Sequence, residues 1–407
     1  MSAPVGPALS TGLALACGTT VLLFACVAFD LGRVRGLLGL AAPAPPAPGR
    51  TGYSSLIGHT RLIRLASLSA ATGCEILAKC EFLNPGGSGK DRVALRCVEE
   101  AERAGALRPG GLLVEGTSGS TGISLALLAR ARGYACRIFL PNDQASEKAA
   151  LLRRLGAEVT ETPPVSIVNE GHYVNRARRA AAEAAAAGTP ALFVDQFDTP
   201  LNALAHYEGT GPELWAQARG RVDAFVCGAG TGGTIGGVGR YLKEASRGRT
   251  RVHLVDPQGS VLLRLVNAGV AWAPALAERT LRRHRMDTLV EGVGLDRVTA
   301  NMAAALPYID SAWGVSDAEA VAMARRLLRE EGLFLGSSSA LNCVGALRAA
   351  EALGPGHTVV TLLCDSGARH MSRFWSDACV AEAAKSQGDG ALLEALGTAA
   401  GPQVVKG

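Results

Sequence analysis

Between Gly52 and about Trp375, short apolar runs alternate with longer segments whose apolar positions recur every three or four residues. The short runs Ile76–Lys79, Leu112–Glu115, Arg137–Leu140, Glu158–Glu161, Leu192–Val194, Ala224–Cys227, His253–Asp256 and Thr358–Cys364 predict strands. Asp91–Ala104, Gly122–Ala131, Ser146–Leu155, Tyr173–Ala187 and Asp317–Glu331 predict helices. Strands alternating with helices imply an α/β fold with parallel-rich, twisted sheets covered by helices. Ligands of such sheets bind at the carboxyl ends of the strands, so the loops that follow strands deserve the closest reading.

The flanks follow a different pattern. Ala8 to Phe29 carries no charge over 22 residues. As a helix it would span roughly 33 Å, enough for the hydrocarbon core of a bilayer. No Lys or Arg precedes it, as a secretory signal peptide or a matrix presequence would require. Arg33 and Arg35 follow it directly, which places the body on the cytosolic side of the membrane. Residues 1–32 are therefore expected to be an N-terminal transmembrane anchor. Residues 33–51, which include the run AAPAPPAPG, are expected to be a Pro-rich, extended linker. After Trp375 the chain turns Ala- and Gly-rich, and 377–407 reads as a flexible tail.

Composition narrows the chemistry. Hydrophobic residues make up 48 % and charged residues 19 %, which describes a globular chain and not a disordered one. The net charge of +5 is spread without a basic block, so no nucleic-acid partner is expected. The ten cysteines form no C-x-x-C pair, and no metal site is expected. Most of them lie in apolar runs such as Tyr134-Ala135-Cys136-Arg137-Ile138-Phe139, where Cys acts as a small buried hydrophobe. Only Lys79, Lys90, Lys148, Lys243, Lys385 and Lys406 could supply an amine that loses its proton, because Arg does not.

Four loops carry candidate chemistry. The first is Asn84-Pro85-Gly86-Gly87-Ser88-Gly89-Lys90-Asp91-Arg92, where Lys90 opens a helix whose positive end favours a neutral amine. It is not a Walker loop, since Asp91 stands where Ser or Thr is needed. The second, Glu115 to Gly122, sets backbone N–H groups and hydroxyls around a helix start, an anion site sized for a carboxylate or phosphate. The third, Gly228-Ala229-Gly230-Thr231-Gly232-Gly233-Thr234, has hydroxyls suited to a terminal phosphate. It also satisfies G-x-G-x-x-G, and Asp256 falls near the position of a ribose-binding acid, so a nicotinamide dehydrogenase stays open at this point. The fourth, Leu363-Cys364-Asp365-Ser366-Gly367, would present a neutral hydroxyl at a strand end.

Together these loops, in this order, resemble the cysteine synthase / cystathionine β-synthase family of pyridoxal 5′-phosphate enzymes over roughly Ser54 to Trp375. Ile57-Gly58-His59-Thr60, Ser146-Glu147-Lys148, Gln196-Phe197, Thr210-Gly211-Pro212-Glu213, Glu291-Gly292-Val293-Gly294 and Gly336-Ser337-Ser338-Ser339 agree with it. The resemblance implies the two-domain fold type II, like the tryptophan synthase β chain. Residues 52–86 and 196–376 would form the large cofactor-binding domain, and 87–195 the small substrate domain. It implies that Lys90 is catalytic and carries the cofactor as a Schiff base. Gly230, Thr231, Gly232, Gly233 and Thr234 would hold the phosphate, Ser120 would touch the 3′ oxygen, and Ser366 the pyridine nitrogen. Thr117, Ser118, Gly119, Thr121 and Gln196 would receive the substrate carboxylate.

The implied reaction is β-replacement on O-acetyl-L-serine with sulfide, giving L-cysteine and acetate. Other β-replacements or eliminations on serine derivatives, and a membrane-anchored pseudoenzyme that keeps the cofactor, are the alternatives. Family members carry Asn where this chain has Ser120, and an apolar residue where it has Gly89. The membrane span is similar to a fungal subgroup associated with the mitochondrial outer membrane, and a homodimer is the family expectation.

Overall fold

The computed structural model describes residues 52–272 and 288–397, all within one compact unit, Arg50–Gly407. The expected anchor at 8–29 and linker at 33–51 lie outside the described residues. Among the described residues no helix is long and apolar enough to cross a membrane.

Two sheets organise the unit. Strands β1 (Leu62–Arg64), β2 (Glu75–Cys80), β7 (Ala224–Gly228), β8 (Arg251–Pro257), β9 (Ser311–Val315) and β10 (Thr358–Leu363) form one sheet in the order β1-β2-β10-β7-β8-β9. Strands β3 (Leu112–Gly116), β4 (Ala135–Pro141), β5 (Glu158–Thr162) and β6 (Ala191–Phe193) form the other, in the order β5-β4-β3-β6. Every pairing is parallel except β1 with β2, where Leu62 faces Lys79. In β10 all six residues are buried, as a parallel strand covered on both faces requires.

The eight expected strands are present. β1 and β9 were not anticipated: β1 has three residues, and β9 (SAWGV) lacks an aliphatic run. Helix ends follow local chemistry. Ser316 and Glu319 form a reciprocal capping box on helix Asp317–Glu331, which stops at Gly332 with φ of 67°.

The segment from 377 corrects an expectation. It forms helices Asp377–Gln387 and Gly390–Gly397, with Val380, Ala384, Leu392 and Ala395 packed into the same core as Leu327 and Phe374. Half of those four core residues are alanines, so the stripe does not stand out in an Ala-rich stretch.

Candidate active site

The carboxyl ends of β3, β7 and β10 and the start of helix Lys90–Arg103 open onto one cleft of about 1160 Å³, counting its mouth. Its size suits a small organic ligand.

Lys90 enters this cleft from a loop with little freedom. Gly86 N donates to Asp91 Oδ2 at 2.5 Å, and Arg369 donates to Gly86 O. A Cβ on Gly86 would lie 2.1 Å from Asp91 Oδ1, so only glycine fits. Burial pushes the Asp91 carboxyl up to about 6. Beneath the loop, Arg92 is held by Glu81 at 2.8 Å and Glu213 at 2.6 Å, and Glu213 also pairs with buried Lys79 at 2.7 Å. Burial works against the Glu213 carboxylate, but Arg92 and Lys79 hold it down at about 2. Lys79 is thus a structural cation. Among the described residues, the Lys90 Nζ has neither a hydrogen-bond acceptor nor an ion-pair partner.

The loop after β3 is fastened through side chains. Thr121 Oγ1 donates to Gln196 Oε1 at 2.6 Å, and Gln196 Nε2 donates to Gly116 O at 3.2 Å. Thr117, Thr121 and Gln196 are all buried. Thr117, Ser118, Ser120, Thr121 and Gln196 line the cleft, while Gly119 does not. Gly119 (φ 133°) lets the chain turn, and its missing Cβ leaves room for Lys148 Cδ, 2.7 Å from where that Cβ would lie. Behind Gln196, Glu115 is fully buried and pushed up to about 8 by desolvation.

The loop after β7 is fastened through backbone. A Cβ on Gly230 would lie 2.4 Å from Gly292 O, and one on Gly232 (φ 87°) 2.5 Å from Met302 Cα. Thr231 Oγ1 accepts from Asn202 Nδ2 at 3.0 Å and from Gly233 N at 3.2 Å. Gly230, Thr231, Gly232 and Thr234 line the cleft at the start of helix Gly233–Ala245. Gly233 does not, because it abuts Asn202 Oδ1.

Two candidates fall elsewhere. Ser366 does not line the cleft; its hydroxyl caps the turn Gly367–Arg369 by accepting from Ala368 N at 3.3 Å. The hydroxyl that does reach the cleft near the end of β10 is Ser338, from the start of helix Ser337–Leu353. Asp256, the would-be ribose ligand, is also outside the lining. It accepts from Leu263 N at 2.7 Å, and burial pushes it up to about 7. The dinucleotide reading therefore loses its acid.

Other lining residues were not assigned roles by the sequence. Glu291 pairs with Lys148 at 2.6 Å and lies 3.2 Å from His370 Nδ1, while His370 Nε2 lies 3.0 Å from Asp365 Oδ2. All four are buried and line the cleft. Burial opposes the Glu291 carboxylate, yet Lys148 and His370 hold it well below the usual range. Lys148 and Glu291 belong to motifs quoted above, and those motifs were the only signal for them.

A free amine, a glycine cradle at a helix start and a second hydroxyl-rich helix start fit a phosphate-bearing aldehyde cofactor and an amino-acid carboxylate. The chain matches the profile of the pyridoxal-phosphate dependent enzymes over residues 53–365. It is 51 % identical over 331 residues to cysteine synthase 2 of Schizosaccharomyces pombe, covering 80 % of this chain and 84 % of that protein. It is 47 % identical over 337 residues to a putative mitochondrial cysteine synthase of Saccharomyces cerevisiae, covering 82 % and 86 %. The crystal structure of O-ureido-L-serine synthase superposes with a TM-score of 0.68 at 32 % identity, covering 80 % of this chain and 95 % of that one. The chain belongs to the pyridoxal-phosphate dependent enzyme family.

Proposed function

We propose that the protein is a cysteine synthase that replaces the acetoxy group of O-acetyl-L-serine with sulfide, releasing L-cysteine and acetate. The observation that carries this reading is the unpaired Lys90 amine in one cleft with two anion-accepting helix starts. The cysteine synthase names of the relatives supply the reaction class.

Pyridoxal phosphate, when bound, supplies the electron sink that acidifies the substrate Cα–H and lets the β-substituent leave. Lys90 carries the cofactor, then acts as the base that takes the Cα proton and later returns it. Backbone N–H groups and hydroxyls of Gly230, Thr231, Gly232 and Thr234 would grip the phosphate, with Gly233 packed against Asn202 behind them. Thr117, Ser118 and Thr121 would receive the carboxylate, with Gln196 oriented by Thr121 and Gly119 making the turn between them. Ser366, whose capping contact leaves its own O–H free, would offer the ring nitrogen a neutral hydroxyl, which favours β-elimination over transamination. Ser120, which lines the cleft, would meet the ring oxygen with a shorter reach than Asn. The lobes 52–86 with 196–376 and 87–195 hold the cofactor and the substrate side respectively.

The test uses the purified full chain. It should show the visible absorbance of bound cofactor, and O-acetylserine should change that spectrum and, with sulfide, yield cysteine. A spectrum that answers serine but not O-acetylserine would replace this reading with another β-replacement. No response to any amino acid would leave a cofactor-binding pseudoenzyme.

The uncharged run Ala8–Phe29 with Arg33 and Arg35 behind it, and the relative named mitochondrial, support a body anchored on the cytosolic face of the mitochondrial outer membrane. Deleting residues 1–32 should release the protein into the soluble fraction; continued membrane association would contradict the anchor. A homodimer is proposed from the resemblance, and sedimentation of the full chain in detergent tests it.

A further inference from the structure

One buried histidine in the cleft has no role in the scheme above. His206 is 1 % exposed and lines the cleft, and its two ring nitrogens reach two different threonines. Nδ1 lies 2.9 Å from Thr210 Oγ1, and Nε2 lies 3.1 Å from Thr234 Oγ1, in the glycine loop.

The local chain explains the placement. Helix Pro200–Ala205 runs into a wide π-type turn, His206–Thr210, before helix Gly211–Gln217 begins. Pro212 has no N–H to give to Glu208, and the turn widens so that Gly211 N donates to His206 O. Helix Gly233–Ala245 then packs without a gap: a Cβ on Gly237 would lie 2.2 Å from Ala203 O and 2.9 Å from His206 Cβ. His206 Cβ is thus hemmed in by the helix, and the two threonines hold the ring from its two nitrogens.

Counting protons fixes its state. Burial, with the charge of Lys90 adding to it, pushes the imidazole down to about 3, so it is neutral and has one N–H. If that hydrogen were on Nδ1, it would point at Thr210 Oγ1. Thr210 borders the cleft but is fully buried and has no other hydrogen-bond partner among the described residues, so its own O–H would have no protein acceptor. Folded proteins avoid a buried donor of that kind. With the hydrogen on Nε2, every donor is used: Thr210 O–H donates to Nδ1, and Nε2–H donates to Thr234 Oγ1. The Thr234 O–H is then the free end of the chain, on the side of the cleft.

We infer that His206 is a positioning residue, held as the Nε2–H tautomer, that compels the Thr234 hydroxyl to donate toward a dianionic phosphate seated on the 228–234 loop. The opposite tautomer would consume the Thr234 proton and aim an oxygen lone pair at the anion. This inference rests on the proposed reading of that loop as the phosphate site.

The experiment is 15N NMR of the histidine-labelled holoenzyme, with cofactor affinity measured by reconstituting the apoenzyme. The His206 signals, identified by their loss in His206→Gln, should show a protonated Nε2 and a bare Nδ1. His206→Phe should weaken cofactor binding about tenfold, by loss of one oriented donor, and shift the 31P resonance of the cofactor. His206→Gln, whose amide can place an N–H where Nε2–H was, should restore most of both; His206→Asn, which reaches only the Nδ1 position, should not. A protonated Nδ1 or an imidazolium in the wild-type holoenzyme would overturn the inference, whether or not the variants fold. So would a His206→Phe protein that binds the cofactor as the wild type does. A wild-type preparation with no visible absorbance would instead refute the functional reading, and the two failures are thereby distinguishable.

Discussion

The two anion loops look alike in sequence and are held by different means. The glycines of the 228–234 loop abut main chain, Gly230 against Gly292 O and Gly232 against Met302 Cα, while Asn202 and His206 hold its threonines. The 117–121 loop is held by the ends of side chains, with Lys148 methylenes under Gly119 and Gln196 on Thr121. Main chain cannot yield locally without moving a whole element, whereas the methylenes of a lysine can shift slightly while its ammonium stays paired. The first arrangement suits a ligand that stays bound through many turnovers, and the second a ligand that enters and leaves in each one.

Glu291 is where the two loops meet. Its neighbour Gly292 buttresses the first loop, and its carboxylate holds Lys148 at 2.6 Å under the second. Removing one partner of a buried pair typically costs about 3–5 kcal/mol. Glu291→Gln should therefore give the largest loss, read as a drop in denaturant midpoint with a raised KM for the amino acid. A variant with wild-type stability and KM would show that the loops are not joined there.

Gly232→Ala sharpens the contrast. A Cβ there meets main chain at a φ that L-residues rarely adopt, and about 1–3 kcal/mol of strain is expected, with loss of cofactor colour. Gly119→Ala carries backbone strain too, but its clash is with a movable lysine stem. It should retain the cofactor and raise KM. The same loss of colour in both variants would erase the distinction between the loops.

A smaller effect is expected from pH. Glu115 is pushed up to about 8, above its ordinary 4.5, so between those values the folded chain keeps a proton that the unfolded chain has lost. The contribution of Glu115 to stability must then fall as pH rises from 4.5 toward 8. Glu115→Gln should flatten that slope, and urea midpoints at pH 5 and pH 8 measure it; an unchanged slope would assign the pH dependence elsewhere.

Legibility in the sequence followed distance along the chain. The loops with Lys90, Thr117–Thr121 and Gly230–Thr234 are continuous runs of Gly, Ser and Thr between a strand and a helix, so their chemistry is local. Lys148 and Glu291 are 143 residues apart, and nothing in either segment names the other. His206 owes its place to a turn that Pro212 enforces, and Ser338 to a helix start that packs beside β10. Ser366 stands outside the cleft lining, and its hydroxyl accepts from Ala368 N, an interaction that leaves its own O–H free to donate. The apolar stripe of 377–397 is hard to see in sequence because alanines lie both on it and off it.

The central claim is that Lys90 carries the cofactor, and chemical fixation tests it most directly. Reduction of the purified full chain with borohydride, digestion and mass spectrometry should place the pyridoxyl mass on the peptide containing Lys90, with none in Lys90→Ala. The same mass on Lys79, Lys148 or another lysine, or on no peptide at all, would contradict the account.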